Sequence, residues 1–329
     1  ENTYKRDDPN STKVPNDKDI WPNIEEDFKF AAANLPATQG QKGRATKYAA
    51  QALLGKVYLY QDKFSFAATT LDNLINSNTY SLVSDYSTLF EFAQENGPES
   101  VFEVQYTDVE GAGFGCLQCS EGNVAVGFNG PRNYSGPLFT SGFSFNVPTQ
   151  QSYDAYDTGD NRRDIAILNI ESWATQTGAS FGVGYEHTGF FNRKYIPRTR
   201  SSNAAGDLNL TNPNNYRAIR YADVLLMLAE ALGETTQAYA YINQVRTRAG
   251  LHAISSTTPG TFAQKLLDER RIEFALENHR WQDLLRFGVA KATMAKQLAV
   301  PEADIRLLYA IPQKEIDVSN GKLVQNPGY

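Results

Sequence analysis

The sequence predicts a mainly α-helical protein, a tetratricopeptide-like helical-repeat scaffold with a long, loop-rich and partly β insertion. Two observations support this fold class. Paired runs with helical spacing of apolar residues occur near both ends of the chain. Between them the sequence is rich in glycine, asparagine, serine, threonine and aromatic residues. We therefore expect residues 1–102 and 216–329 to form two parts of one scaffold, and residues 103–215 to form the insertion.

The first scaffold part contains three predicted helices. Residues 21–35 have an acidic first turn, apolar residues at helical spacing and a stop at Pro36. Residues 43–61 and 64–76 follow, and the alanines of the former allow the latter to approach closely. The short link between these two runs predicts an antiparallel helical hairpin.

A related hairpin is predicted at residues 216–249, where YRAIRYADVLLMLAEAL precedes TQAYAYINQVRTRAG. Its spacing approximates the 34-residue tetratricopeptide period. Residues 266–288 follow as one strongly helical run that places Arg270 and Glu277 among apolar residues. We interpret these charges as ion pairs that join helices, in preference to a catalytic carboxylate cluster.

The insertion contains short β-like pieces, VFEVQY, SFNVP and GFFNRKYIP, and one short predicted helix at 149–156. Asp154, Asp157 and Asp160 lack the alternate spacing of an EF-hand, and we expect them to cap and solvate the end of that helix. Long irregular excursions from a rigid scaffold concentrate ligand contacts. We therefore expect the ligand-binding face of the protein here.

Composition excludes several function classes. A net charge of -6 and scattered basic residues give no electrostatic footprint for nucleic acid or anionic lipid. No apolar run reaches the roughly 18 residues that span a bilayer. The sequence contains no signal peptide and starts at Glu1 without a methionine, so we expect a processed or truncated start.

Cofactor and metal chemistry has little support in the sequence. Cys116 and Cys119 form a lone C-x-x-C pair, and the three histidines show no paired spacing for a zinc site. We expect a loop disulfide or two unreactive thiols. Phosphate-loop and G-x-S-x-G motifs are missing from the sequence, so we expect no catalytic residue, no cofactor and no metal site.

Five motifs, in order, resemble those of the SusD/RagB family of glycan-binding lipoproteins. They are GRATKYAAQALLGKVYLY at 43–60, RYADVLLMLAEAL at 220–232, INQVRTRAGL at 242–251, DERRIEFALENHRWQDLLRFG at 268–288 and YAIPQKEIDVSNGKLVQNPGY at 309–329. The resemblance runs over nearly the whole sequence. It implies a tetratricopeptide-like scaffold with a variable ligand-binding face.

The resemblance also implies a function. Such a protein lies on the extracellular face of the outer membrane, as a lid on a SusC-like TonB-dependent transporter, and captures oligosaccharide for uptake. Its membrane contact is an N-terminal lipid anchor, which this chain does not contain, and the family carries further helices before this region. Two alternatives stay open, the same lid role with a peptide or glycopeptide cargo, and a glycoside hydrolase on a helical scaffold.

Sugar capture requires aromatic faces for pyranose C–H surfaces and planar polar groups for hydroxyls. We predict Trp173 as the first glycan-binding residue because its context, ILNIESWATQTG, shows no helical core stripe. The further predicted binding residues are Tyr185, His187, Arg132, Asn133 and Tyr134. The alternative for each is packing within a minor core of the insertion.

Overall fold

The computed structural model describes residues 13–110, 113–116 and 121–329. Helices dominate these residues, as predicted. The helices are α1 (Trp21–Asn34), α2 (Lys47–Leu59), α3 (Phe64–Ile75), α4 (Val124–Asn129), α5 (Gln150–Tyr153), α6 (Arg163–Ala166), α7 (Ile170–Thr177), α8 (Tyr221–Leu232), α9 (Thr236–Arg248), α10 (Phe262–Glu273), α11 (Arg280–Arg286), α12 (Ala290–Leu298) and α13 (Gln313–Val318). The strands are β1 (Ser100–Val104), β2 (Arg132–Ser135), β3 (Ile167–Asn169), β4 (Ser180–Gly182), β5 (Phe190–Asn192) and β6 (Tyr216–Arg220).

The described residues fall into two compact units. Residues 28–280 form the larger unit, and the smaller contains residues 281–329 together with the described residues before 28. No helix in the described part of the chain is long and apolar enough to cross a membrane. Within the same residues, no three His, Cys, Asp or Glu side chains are grouped so as to hold a metal ion.

Both predicted helical hairpins are present in the larger unit. Helix α2 packs on α3, α3 on α8, and α8 on α9. Gly55 of α2 allows α3 to pack closely, because an added Cβ at this position would lie 2.5 Å from Leu71 Cδ2 of α3. Helix α8 lies at the centre of this arrangement and is buried from Tyr221 to Ala229. The hairpins therefore build a scaffold around a helix that is buried on nearly all sides.

An antiparallel strand pair closes the base of the insertion. Strand β1 pairs with β6, so the chain enters and leaves the intervening region at adjacent positions. Residues 216–220 were expected to begin a helix, and this expectation was wrong. The YRAIR segment alternates partly and fully buried side chains, as a strand does, and the helix begins only at Tyr221.

Two further expectations differ from the structure. The run 266–288 is not one helix, because α10 ends at Glu273 and α11 begins at Arg280. Leu276 and Asn278 adopt positive φ angles of 67° and 66° between them, which a continuing helix does not allow. The SFNVP segment forms no strand, whereas the short helix predicted at 149–156 is present as α5 with Thr149 as its N-cap.

A cluster of buried ion pairs joins residues of 103–215, the predicted insertion, to residues before and after that range. Its cations are Arg162, Lys194, Arg220, Arg246 and Arg248, and its anions are Glu99, Asp160, Glu269, Glu273 and Glu277. We call these ten residues the charge cluster. Arg162 and Lys194 come from the insertion and bind glutamates of the segment that includes α10, at 2.6 Å to Glu269 and 2.7 Å to Glu277. The cluster confirms that the charges on 266–288 join separate segments.

Neighbouring cations lower the pKa of two carboxyl groups in the charge cluster, those of Glu273 and Glu277, despite their burial. Burial opposes ionisation of Glu277, but Arg220 and Lys194 outweigh it and lower the pKa of this carboxyl group. Asp160, expected at a solvated helix end, is instead buried and binds Arg162 at 2.7 Å. Opposite charges are equal in number within the cluster, so its net charge is close to zero despite burial.

Candidate ligand-binding site

The six predicted binding residues lie in one neighbourhood of the larger unit. Strand β2, which carries Arg132, Asn133 and Tyr134, pairs with β4, and Arg132 lies opposite Gly182. Tyr185 and His187 follow β4 directly. Trp173 lies on α7 and donates its Nε1–H to the Tyr134 hydroxyl at 2.9 Å. The fold thus assembles residues from three separate stretches of sequence.

These residues differ in how far their side chains are available to a ligand. Tyr185 is 89% exposed, and Arg132 and Asn133 are exposed as well. Tyr134 is buried, and its hydroxyl also donates to the Pro137 carbonyl at 2.8 Å. His187 lies against Phe181, with ring centroids 5.8 Å apart. The exposed residues can contact a ligand directly, whereas Tyr134 and His187 pack within the insertion.

Trp173 is half-buried and forms part of a cavity wall. Its context showed no helical stripe, yet it lies on a helix that begins at Ile170 with Asn169 as N-cap. Its ring contacts Phe139 at 5.2 Å between centroids, and the Arg193 guanidinium lies 5.7 Å from the indole centroid. The helix turns the indole inward, so the ring is less open to solvent than that of Tyr185.

The tryptophan cavity measures about 330 Å³. Its lining combines two aromatic rings, several planar polar groups, a hydroxyl and two aliphatic side chains. The lining residues are Tyr153, Arg163, Asp164, Ile167, Leu168, Asn169, Ser172, Trp173, Gln176 and Arg193. A hydrogen bond from Arg163 lowers the pKa of Asp164, against the opposing effect of partial burial. The cavity therefore holds a carboxylate acceptor and guanidinium donors beside an indole.

A second group of aromatic residues was not predicted from the sequence. Phe114, Phe128, Phe143 and Phe145 contact one another with ring centroids 5.7 to 6.4 Å apart, and we call them the phenylalanine surface. Phe114 and Phe145 are 63% and 52% exposed. The available signal was the close spacing of Phe143 and Phe145, and the positive φ angle of Ser144, 58°, shows that the segment between them is not an extended strand.

Close backbone contacts hold the phenylalanine surface in place. The segment 142–145 lies on residues 127–130, with Phe145 N–H donating to the Phe128 carbonyl at 2.8 Å and Phe143 N–H to the Gly127 carbonyl at 3.0 Å. An added Cβ on Gly142 would lie 2.6 Å from the Gly130 Cα. Only glycine permits this approach, so the rings are presented from a closely packed base.

The predicted residues border the phenylalanine surface. The Arg132 guanidinium donates to the Phe143 carbonyl at 3.0 Å, and the Arg132 N–H donates to the Ser144 hydroxyl at 2.8 Å. An added Cβ on Gly184, next to Tyr185, would lie 2.8 Å from the Ser144 Cβ. Tyr185 and the phenylalanine surface therefore belong to one exposed aromatic region.

A cavity of about 440 Å³ adjoins this region, and we call it the amide cavity. Asparagines and tyrosines provide most of its wall, which consists of Tyr106, Asn123, Ala125, Val126, Asn129, Asn146, Asn192, Tyr195, Tyr216, Leu276 and Asn278. Asn129 and Asn146 directly follow Phe128 and Phe145 in sequence. The cavity was not predictable from the sequence because its residues come from six separate segments.

The cysteine pair lies near this region in sequence. Cys116, two residues after Phe114, is disulfide-bonded, in agreement with one of the two expected states of the pair. Cys119 lies outside the described residues. The bond leaves Cys116 without a thiol for catalysis or metal binding.

Comparison with known proteins identifies relatives of this chain. The model of the SusD family matches residues 98–306. A SusD-like protein of Formosa agariphila is 28% identical over 348 residues, covering 97% of this chain and 66% of the relative. A SusD-like protein of Bacteroides ovatus is 27% identical over 295 residues, covering 82% of this chain and 50% of the relative. This chain therefore spans between half and two thirds of these relatives.

Solved structures show the same fold. A laminarin-binding SusD-like protein is 36% identical, with a TM-score of 0.83 over 94% of this chain and 69% of that protein. Surface glycan-binding protein A from Bacteroides thetaiotaomicron, in complex with laminarihexaose, is 27% identical, with a TM-score of 0.80 over 93% and 69% of the two chains. These likenesses confirm the mainly α, tetratricopeptide-like fold class.

Proposed function

Because this chain belongs to the SusD family, we propose that it binds oligosaccharide at the cell surface and delivers it to a SusC-like TonB-dependent transporter. The observation that carries the proposal is the exposed aromatic region beside the amide cavity. Within this region, Tyr185 and Phe145 present exposed rings, and Arg132 and Asn133 present planar polar groups.

The chemistry of this region suits a sugar chain. Pyranose rings have C–H faces that pack on aromatic rings, and their hydroxyls both donate and accept hydrogen bonds. The phenylalanine surface supplies the apolar contact, and the amide cavity supplies groups that can donate and accept. The tryptophan cavity, with Trp173 in its wall, is a second place where a sugar unit fits.

The proposal assigns a cellular context to the chain. The protein acts on the extracellular face of the outer membrane, held there by an N-terminal lipid anchor. Residues 1–102 and 216–329 form the scaffold parts, and residues 103–215 provide the ligand-binding face. The names of two similar structures, which refer to laminarin and laminarihexaose, make laminarihexaose the first oligosaccharide to test.

Isothermal titration calorimetry with laminarihexaose tests binding. We expect Tyr185→Ala to weaken affinity by at least about fivefold, since central aromatic contacts contribute more than about 1 kcal/mol. The matched control is Tyr309→Ala, because Tyr309 is also 89% exposed but lies in the smaller compact unit. Equal affinities for the two variants would argue against a binding role for Tyr185, and Trp173→Ala gives the same test for the tryptophan cavity.

Two assays address the transporter and the alternatives. Co-purification of the full-length lipoprotein with an outer-membrane TonB-dependent transporter supports the delivery role, and its isolation without such a partner contradicts it. We propose a binding protein without hydrolase activity, so incubation with laminarihexaose should release no reducing ends. Release of product would support a glycoside hydrolase, whereas binding of peptide or glycopeptide but no oligosaccharide would support a different cargo.

A further inference from the structure

We infer that the amide cavity selects uncharged sugar units and rejects units that carry a carboxylate. This inference rests on the proposed function and concerns the chemical class of the glycan. A neutral glycan would place one ring in the amide cavity while neighbouring rings contact the phenylalanine surface. An acidic glycan of the same linkage would be excluded at the cavity.

The wall of the amide cavity contains no charged side chain among the described residues. Its polar groups are the amides of five asparagines and the hydroxyls of three tyrosines, Asn123, Asn129, Asn146, Asn192, Asn278, Tyr106, Tyr195 and Tyr216. Neutral amides and phenols, like sugar hydroxyls, can both donate and accept hydrogen bonds. They do not neutralise an anion, which loses its hydration on entering the cavity.

Three of the five amides of the cavity are fixed in orientation by hydrogen bonds to the backbone. Asn123 Nδ2 donates to the Asn214 carbonyl at 2.9 Å, and Asn129 Nδ2 donates to the Tyr195 carbonyl at 3.1 Å. Asn192 is held at both ends, since its Nδ2 donates to the Leu276 carbonyl and its Oδ1 accepts from Tyr195 N–H. These three amides are buried and held in place, so each offers a ligand a fixed and neutral set of donors and acceptors and cannot turn to give a carboxylate further donors.

Two cations that neighbour cavity tyrosines in sequence are already bound to carboxylates of the protein. Lys194, beside Tyr195 in sequence, lies 2.7 Å from Glu277, and it is fully buried. The Arg217 guanidinium lies 3.6 Å from Glu103, and the backbone N–H of Arg217 donates to the Tyr195 hydroxyl at 3.1 Å. Withdrawing either cation to serve a ligand would remove an ion pair from a buried glutamate, Glu277 for Lys194 and Glu103 for Arg217.

The amide cavity and the phenylalanine surface are continuous. Asn129 ends α4, directly after Phe128, and Asn146 follows Phe145. The hydrogen bond from Phe145 N–H to the Phe128 carbonyl joins the two segments at this point. A sugar ring in the cavity therefore lies at the edge of the aromatic rings that would contact its neighbours along the same chain.

Ala125 provides a direct test because it lines the cavity, lies on α4 and is exposed. Ala125→Lys adds a cation at the wall without removing a hydrogen-bond partner, and Ala125→Gln is a neutral control that also lengthens the side chain. The two probes for calorimetry are laminarihexaose and laminarihexaose oxidised at C6 to the uronate. They share backbone and linkage and differ in charge.

We expect the wild-type protein to bind the oxidised hexasaccharide at least about tenfold more weakly than the neutral one, because an unpaired carboxylate is costly to desolvate. Ala125→Lys should recover a large part of this loss, and Ala125→Gln should not. Equal wild-type affinities for the two probes, or equal behaviour of the two variants, would overturn the inference and leave the proposed function standing. Failure of the wild type to bind either probe would overturn both.

Discussion

Replacing Arg220 with methionine tests whether the charge cluster stabilises the fold. The Arg220 side chain is 1% exposed and its guanidinium contacts three carboxylates, at 2.6 Å to Glu99, 2.8 Å to Glu273 and 2.8 Å to Glu277. Methionine keeps much of the volume and removes the charge. The glutamates would then share fewer cations in a region without access to water.

The magnitude follows from the number of buried carboxylates that lose a partner. Removing one member of a buried ion pair costs about 3–5 kcal/mol, because the remaining charge is left uncompensated. Arg248 still binds Glu99 and Glu273, and Lys194 still binds Glu277, so none of the three is left entirely alone. We therefore expect Arg220→Met to lower the free energy of unfolding by about 3–5 kcal/mol.

Urea unfolding at pH 7 measures this difference, with Arg163→Met as the matched control. Arg163 also binds a carboxylate, at 2.9 Å to Asp164, but both side chains are well exposed, at 42% and 65%. An exposed pair contributes only about 0–1 kcal/mol. The deficit of Arg220→Met should shrink below pH 5, where the glutamates that have lost one of their cations take up protons.

Two results would refute this reasoning. One is a free energy of unfolding for Arg220→Met within about 1 kcal/mol of that of Arg163→Met, since burial would then add nothing to the loss of the pair. The other is a deficit that stays constant as the pH falls, because an uncompensated carboxylate must become easier to protonate.

Two further predictions concern pH dependence and backbone packing. Burial lowers the pKa of His279 from 6.5 to about 4, so the unfolded chain binds a proton that the folded chain does not, and stability falls as the pH falls through this window. His279→Phe should remove roughly 3 kcal/mol of that loss in urea unfolding at pH 4 and 7, and an unchanged pH profile would contradict the assignment. Gly127→Ala should lower the free energy of unfolding by about 1–3 kcal/mol, because the added Cβ would collide with the Asn209 carbonyl oxygen. Thermal unfolding measures this loss, with Gly40→Ala as a near-neutral control because no atom lies within 4 Å of an added Cβ there.

The helical hairpins were predictable because their information is local. Apolar spacing, small residues and caps lie in consecutive stretches, and helix hydrogen bonds connect residues four apart. The predicted run 64–76 is therefore close to the observed α3, Phe64–Ile75. The same local pattern failed at 216–220 and at 274–279, where pairing with β1 and the positive φ angles of Leu276 and Asn278 decide the conformation.

The candidate binding region was predictable only in part. The sequence directed attention to the insertion and to Tyr185, whose exposed ring is consistent with a ligand contact. The sequence also indicated Trp173 as the first glycan-binding residue, but it did not show that α7 turns the indole against Phe139. The phenylalanine surface was missed because Phe114 and Phe128 are distant in sequence from Phe143 and Phe145, so only folding brings the four rings together.

The sequence by itself determined the mainly helical fold class and the family. Only the tertiary structure decided which charges meet, as when Arg162 and Lys194 of the insertion bind Glu269 and Glu277. The amide cavity likewise depends on six segments that meet only in the folded chain. The physical reason is the sequence separation of the residues that interact. Helix formation depends on near neighbours in sequence, whereas ion pairs and cavities depend on side chains that packing brings together from distant positions.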